Sequence, residues 1–488
     1  MMLGGSSCGR WRAVASAYCH AALQLVMPVN YKFIFAHMSR PVQQGHIRQS
    51  TEDDIYAPTS RIDNGGWSLP EQHATAAACA DRKSFFLWGV ANNLNDVLVA
   101  QFKKAFTLSD FQAALVQSAF YLGYFIVALP AGAYMRRYGY KSAVVFGLCL
   151  YGVGALLFWP AAAYATYAMF LAALFVIACG LAFLETSANP YVTLLGPASS
   201  AASRLNLAQA FNPLGSIAGV LIGQHFIFTG VEHTPAELAA MSTGAREAFM
   251  KSEAAAVQLP YLVIGLGVIV WAVVIVLTRF PSVAHHEEGA PAPLNVLRRL
   301  LRDGRLLGAV AAQFFYVGAQ VAVFSHMIRY AEATMPGTVD KAAAGFVTAG
   351  LVCFMVGRFA GAALMKHLKA SRVLALFALI NVVLMVMAAF VPGRLGIYAL
   401  VVSSFFMSVM YPTIFALGVE GRGDDERKFA AALLVMAIIG GAVLTAAMGV
   451  ASDRVGIAHA MLVPAVCFIA IFLFAQQQWQ RVTAGAVA

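Results

Sequence analysis

From Ser84 to Gln477 the sequence is a train of apolar blocks, most of them closed by a short polar or basic loop. A helix that crosses a bilayer needs about 20 consecutive, largely apolar residues. Twelve such blocks can be drawn, at 84–106, 111–135, 142–163, 167–195, 205–228, 257–280, 306–330, 343–365, 373–391, 397–419, 430–450 and 459–477. Charged residues make up only 11% of the chain, less than half the roughly 25% of a soluble domain. That combination excludes a disordered chain, a nucleic-acid-binding domain and nearly every soluble enzyme. It predicts an all-α membrane protein of twelve transmembrane helices.

The formal charge of +10 is a matter of orientation rather than of nucleic acid. Lys and Arg collect in the cytoplasmic loops of membrane proteins. With the N-terminus inside, the inward loops hold about twice as many of these residues as the outward ones, among them Arg136, Arg137, Lys141, Arg298, Arg299 and Arg302. Both termini are therefore expected in the cytoplasm. Cys149, Cys179, Cys353 and Cys467 fall inside apolar blocks, where Cys behaves as a small hydrophobe. No spacing suggests a metal or disulfide framework, and His225, His233 and His326 stand singly.

Residues 281–305 run through His-His-Glu-Glu, Pro-Ala-Pro and a basic stretch. They read as a cytoplasmic linker between six-helix halves at 84–280 and 306–478, with a short tail at 479–488. The halves echo one another, as transporter repeats do. Phe86-x-x-Gly89 answers Phe315-x-x-Gly318, and Asn189-Pro190-Tyr191 answers Tyr411-Pro412. Small residues at Gly215, Gly219 and Gly223, and again at Gly357 and Gly361, allow close helix approach in lipid. The first 83 residues hold a broken apolar patch and a polar stretch. They are compatible with a cytoplasmic tail, an interfacial anchor, or a start site placed too early, with Met38 an alternative.

Polar residues inside the blocks are the candidates for function. Gly89, Asn92, Asn93 and Asp96 share a face of the first span; Glu185 and Asn189 lie one turn apart in the fourth; Asn206, Gln209 and Asn212 align on the fifth. In the second half, Gln313, Tyr316 and Gln320 align on the seventh span and Ser404, Ser408 and Tyr411 on the tenth. A carboxylate at a helix centre costs about 2.5–3.5 kcal/mol on insertion scales. Asp96 and Glu185 are thus expected to face a watery cavity and to titrate, because Arg358 reads as lying near the cytoplasmic end of its span. Amides and hydroxyls can be simple helix glue. Clustered beside a carboxylate, they suit a sugar, whose hydroxyls both donate and accept, with Trp88, Tyr121, Tyr124 and Phe315 available to cover its apolar face. No catalytic triad, phosphate loop or metal cluster points to an enzyme.

The stretches 85–96 (FFLWGVANNLND), 184–191 (LETSANPY), 205–212 (LNLAQAFN), 312–320 (AQFFYVGAQ) and 411–418 (YPTIFALG) resemble the bacterial L-fucose–proton symporters of the major facilitator superfamily. The basic loop Gly132-x-x-x-Arg136-Arg137-x-Gly139-x-Lys141 is similar to that superfamily's loop between spans two and three. The likeness runs from about Ser84 to about Phe474. It implies a monomeric, two-lobed inner-membrane carrier using alternating access, with protons as the coupling ion and no other cofactor. By motif position it implies Asp96 and Glu185 as proton-coupling carboxylates. Asn93, Glu185, Gln209, Asn212, Gln320 and Tyr411 fall at sugar-binding positions. Family members divide among L-fucose, glucose or galactose, and N-acetylglucosamine, and these motifs look closest to the L-fucose branch. Two departures stand out: Pro213 follows Asn212 where a small polar residue is usual, and the segment before Ser84 is longer than the family needs.

Overall fold

A computed structural model of the chain describes residues 110–164, 166–222, 241–278, 293–335 and 340–484, together with residues 86, 87, 89, 90 and 237. All belong to the unit Trp67–Ala488. Helices are the only regular elements among the described residues. The second and third spans form one assigned helix, Asp110–Leu156, with a sharp break where Gly139 adopts φ 82°, a backbone region that L side chains rarely enter. The fourth span is Tyr167–Leu194, and the fifth is two pieces, Ala201–Gln209 and Phe211–Ile222. Gln258–Leu277 is the sixth, Gly304–Thr334 the seventh, Asp340–Leu364 the eighth and Ala370–Phe390 the ninth. The tenth is broken into Arg394–Met407 and Met410–Val419; Asp424–Met436 and Gly440–Val455 form the eleventh; Leu462–Ala484 is the core of the twelfth. The expected first span lies mostly outside the described residues.

Two helices fall where the sequence reading placed only connections. Thr243–Ala255 precedes the sixth span, its first turn capped by Ser242, whose hydroxyl accepts from the Ala245 amide. Pro293–Leu300 occupies the second part of the expected linker, burying Val296 and Leu300 while Arg298 and Arg299 fill its last turn. Both are short and carry several charged residues, so they lack the long apolar run by which the spans announce themselves.

Packing follows from the small residues. A side chain on Gly89 would overlap the carbonyl of Asn212, and one on Gly215 would overlap that of Phe86. Spans one and five therefore meet backbone to backbone. The second half repeats the arrangement: Gly318 lies against Leu444 and Gly440 against the Phe314 carbonyl, joining spans seven and eleven. The glycine of the Phe-x-x-Gly echo thus packs on a partner helix in each half, on the Asn212 carbonyl in the first and on the Leu444 side chain in the second. Between halves, the start of span eleven packs on spans two and four, while the first piece of span five packs on span eight and the second piece of span ten. A belt of exposed apolar side chains, including Val263, Leu266, Val270, Val383 and Val466, faces outward as lipid contact requires.

The face carrying the basic loops is closed by charge. Arg136 pairs with Asp425 at 2.9 Å, and the buried Lys428 with Asp424 at 2.5 Å. Tyr140 donates its hydroxyl to Asp424 at 2.9 Å. Asp303, the cap of span seven, pairs with Arg422 at 2.7 Å.

Candidate functional site

Three polar residues climb one face of the first piece of span five at helical spacing, and each meets the second half. Ser203 donates to the Ala362 carbonyl of span eight at 2.8 Å. Asn206 donates to the Thr413 hydroxyl of span ten at 3.1 Å. Gln209 ends the piece, its amide donating to Asn189 of span four at 2.9 Å while its carbonyl accepts from Arg358 of span eight at 2.7 Å. Arg358 also donates through Nε to the Ser408 carbonyl at 2.8 Å, in the break of span ten. This seam ends at the candidate site.

Glu185 lies there, 2% exposed, in the uninterrupted helix of span four. Tyr411 and Arg358 are within electrostatic reach of it; Tyr411 interacts in turn with Gln313 and Tyr124, and Arg358 with Tyr316. The Tyr316 and Tyr411 rings sit 6.3 Å apart, centroid to centroid. Glu185 Oε2, Asn189 Nδ2, both amide atoms of Gln313, and the hydroxyls of Tyr316 and Tyr411 are buried without a well-formed hydrogen bond. Buried polar atoms normally find partners, and here several meet one another only loosely, Tyr411 with Glu185 and Gln313 and Tyr316 with Arg358, which leaves the cluster able to re-pair with a polar ligand. Its atoms comprise donors, acceptors and hydroxyls that can do either, which is the complement of a polyhydroxylated molecule. The chemistry on offer is hydrogen bonding and proton exchange at Glu185.

Sequence expectations fare unevenly. Glu185, Gln209 and Tyr411 are gathered in this buried region. Asn212 is half-buried on the second piece of span five, its carbonyl accepting from Ser216 and packing against Gly89. Gln320 is half-buried on the seventh span, and among the described residues no hydrogen bond ties it to the Glu185 cluster. Asp96 and Asn93 lie outside the described residues, as does Trp88. Arg358 corrects the reading. It lies six residues before its helix ends, yet it is 5% exposed and beside Glu185, where the sequence reading gave the carboxylate no basic neighbour. Its reach depends on Gly357 and Gly361, where any side chain would overlap Phe405 or Val409 of span ten. An arginine one residue after the first glycine of a Gly-x-x-x-Gly stripe was the available signal, because that stripe draws the next helix onto the arginine.

The model of the Major Facilitator Superfamily matches residues 84–438. The chain belongs to that superfamily. Among its relatives, the L-fucose-proton symporter of Escherichia coli (strain K12) is 47% identical over 404 residues, which is 82% of this chain and 92% of the relative. The glucose/galactose transporter of Brucella abortus biovar 1 (strain 9-941) is 36% identical over 427 residues, 87% of this chain and 97% of the relative. A crystal structure of the Escherichia coli fucose:proton symporter, FucP, superposes with a TM-score of 0.77 at 45% identity, covering 83% of this chain and 99% of that one. The chain is thus a transporter of the major facilitator fold and not an enzyme.

Proposed function

We propose that the protein imports a monosaccharide, L-fucose in the first place, together with a proton, across the bacterial inner membrane by alternating access. The observation that carries this reading is the buried cluster of donors and acceptors around Glu185, loosely paired with one another, where the halves meet. The similarity to L-fucose-proton symporters supports the sugar, and the closeness of glucose/galactose transporters makes those hexoses the natural comparison. Asn93, Glu185, Gln209, Asn212, Gln320 and Tyr411 are assigned to the sugar, and Asp96 and Glu185 to the proton. The basic face is taken as cytoplasmic, with both termini on that side, residues 84–280 and 306–478 as the two moving halves, and a monomer as the working unit.

Coupling follows from charge. Glu185 belongs to one half and Arg358 to the other, so an ionised Glu185 attracts Arg358 across the interface and favours the closed basic face. Protonation removes that attraction and lets the loaded carrier open. One proton crossing 100 mV contributes about 2.3 kcal/mol, enough for roughly a fifty-fold sugar gradient.

Purified protein in proteoliposomes with an imposed inward proton gradient tests this reading. Labelled L-fucose is expected to accumulate and to alkalinise the external medium, and more strongly than D-glucose, D-galactose or N-acetylglucosamine. Uptake without a pH change would make it an uncoupled facilitator. Failure to move any of the four sugars would overturn the reading.

A further inference from the structure

Pro213, at the break of span five, has a counterpart in the second half, Pro412 at the break of span ten. In an α-helix the carbonyl of residue i accepts from the amide of residue i+4, and proline has no amide hydrogen to give. Pro213 therefore leaves the carbonyl of Gln209 without its helical donor, and Pro412 does the same to Ser408. Both helices break at those points, between Gln209 and Phe211 and between Met407 and Met410. The two freed carbonyls are the ones that Arg358 occupies, Gln209 through Nη1 at 2.7 Å and Ser408 through Nε at 2.8 Å. One guanidinium thus satisfies a proline-freed carbonyl from each half. Its remaining neighbours are the Phe354 ring at 5.0 Å, Tyr316, Tyr411 and Glu185.

We propose that Arg358 is a positioning residue of the transport cycle, a latch that holds the basic face closed by bridging the carbonyls freed by Pro213 and Pro412, with Pro213 setting its strength. The latch terminates the Ser203–Asn206–Gln209 seam, and all three of its contacts to the second half must part before the basic face can open. A residue with an amide at position 213 would return the Gln209 carbonyl to its own helix. Arg358 would then keep Ser408 within its own half and lose its hold on the other. The proposal rests on the transport reading only for its meaning in the cycle, since the latch itself is a matter of which conformation is populated.

Spin labels on Tyr138→Cys and Leu368→Cys, exposed positions on the basic face of opposite halves, report opening by pulsed electron resonance once the native cysteines are replaced. Pro213→Ser is expected to lower the closed-to-open ratio about tenfold, the worth of one charge-assisted hydrogen bond, and Pro213→Ala to do the same. Arg358→Lys, which keeps the charge but offers no rigid fork, should open the face with Pro213 in place and add little in the Pro213→Ser background. Distances unchanged by both Pro213 variants would overturn the latch. So would an Arg358→Lys effect of equal size in both backgrounds, because the two residues would then act independently. Labelled L-fucose counterflow on the same samples separates the two readings. Sugar movement with unmoved distances sinks the latch alone, whereas shifted distances with no sugar movement in the parent protein sink the transport reading alone.

Discussion

Tyr411 places its hydroxyl beside Glu185 and Gln313, buried and without a well-formed hydrogen bond. Removing such a group costs the fold little, because the penalty of an unmet hydroxyl disappears with it. Tyr411→Phe is therefore expected to insert in normal amounts and to bind L-fucose about tenfold more weakly, as equilibrium binding to purified protein would register. Unchanged affinity would assign Tyr411 to packing. The residue type was readable from the sequence here, since an aromatic hydroxyl in an apolar run has few uses. Its company was less so. Glu185, Gln313 and Arg358 come from spans far apart in the chain, and helical periodicity places a residue on a face without saying which helix that face meets. Arg358 shows this: its place along its span was readable, but not that Glu185 of another helix lies opposite it.

The elements were more legible. Apolar length alone located the spans from the second onward, because in lipid the backbone must satisfy its own hydrogen bonds and a helix is the economical way to do so. The breaks in spans five and ten were written as Pro213 and Pro412, yet span four passes Pro190 without interruption, so a proline marks where a break can occur and packing decides whether it does. At the head of span seven, partial burial pushes the Asp303 carboxyl up, but the Arg422 guanidinium and the Arg305 and Leu306 amides outweigh it and hold it below the usual range. A carboxyl lowered on folding stabilises the fold at pH above its unfolded value of about 3.9, and that contribution vanishes as pH falls through the folded value. The thermal midpoint of the parent protein should exceed that of Asp303→Asn near neutrality, with the difference shrinking towards zero below about pH 4. A difference that persists in acid would mean the carboxylate's charge is not what holds the cap.

For the molecule as a whole, proton coupling and sugar passage should be separable. Asp96→Asn imitates a permanently protonated acid of nearly the same volume. It is expected to exchange labelled for unlabelled sugar across the membrane while failing to concentrate it under a pH gradient. Concentrative uptake by this variant would leave Glu185 as the sole coupling group. The family match begins at residue 84, and the E. coli relative aligns over 92% of its own length with 82% of this chain. Removal of residues 1–60 is thus expected to leave uptake within about twofold, roughly 0.4 kcal/mol, and loss of membrane insertion would argue for an anchor.

The seam between the halves pairs unlike kinds of chemistry. In two of its three contacts Ser203 and Arg358 supply side chains and Ala362 and Gln209 answer with main-chain oxygen, while Asn206 meets the Thr413 hydroxyl. Every amino acid carries that oxygen. In a library of random variants Ser203 and Arg358 should therefore be intolerant and Ala362 permissive to any side chain that fits, whereas Gln209 stays constrained by its own side-chain bond to Asn189. Two surfaces that meet in this way can drift in sequence on one side without the other having to follow.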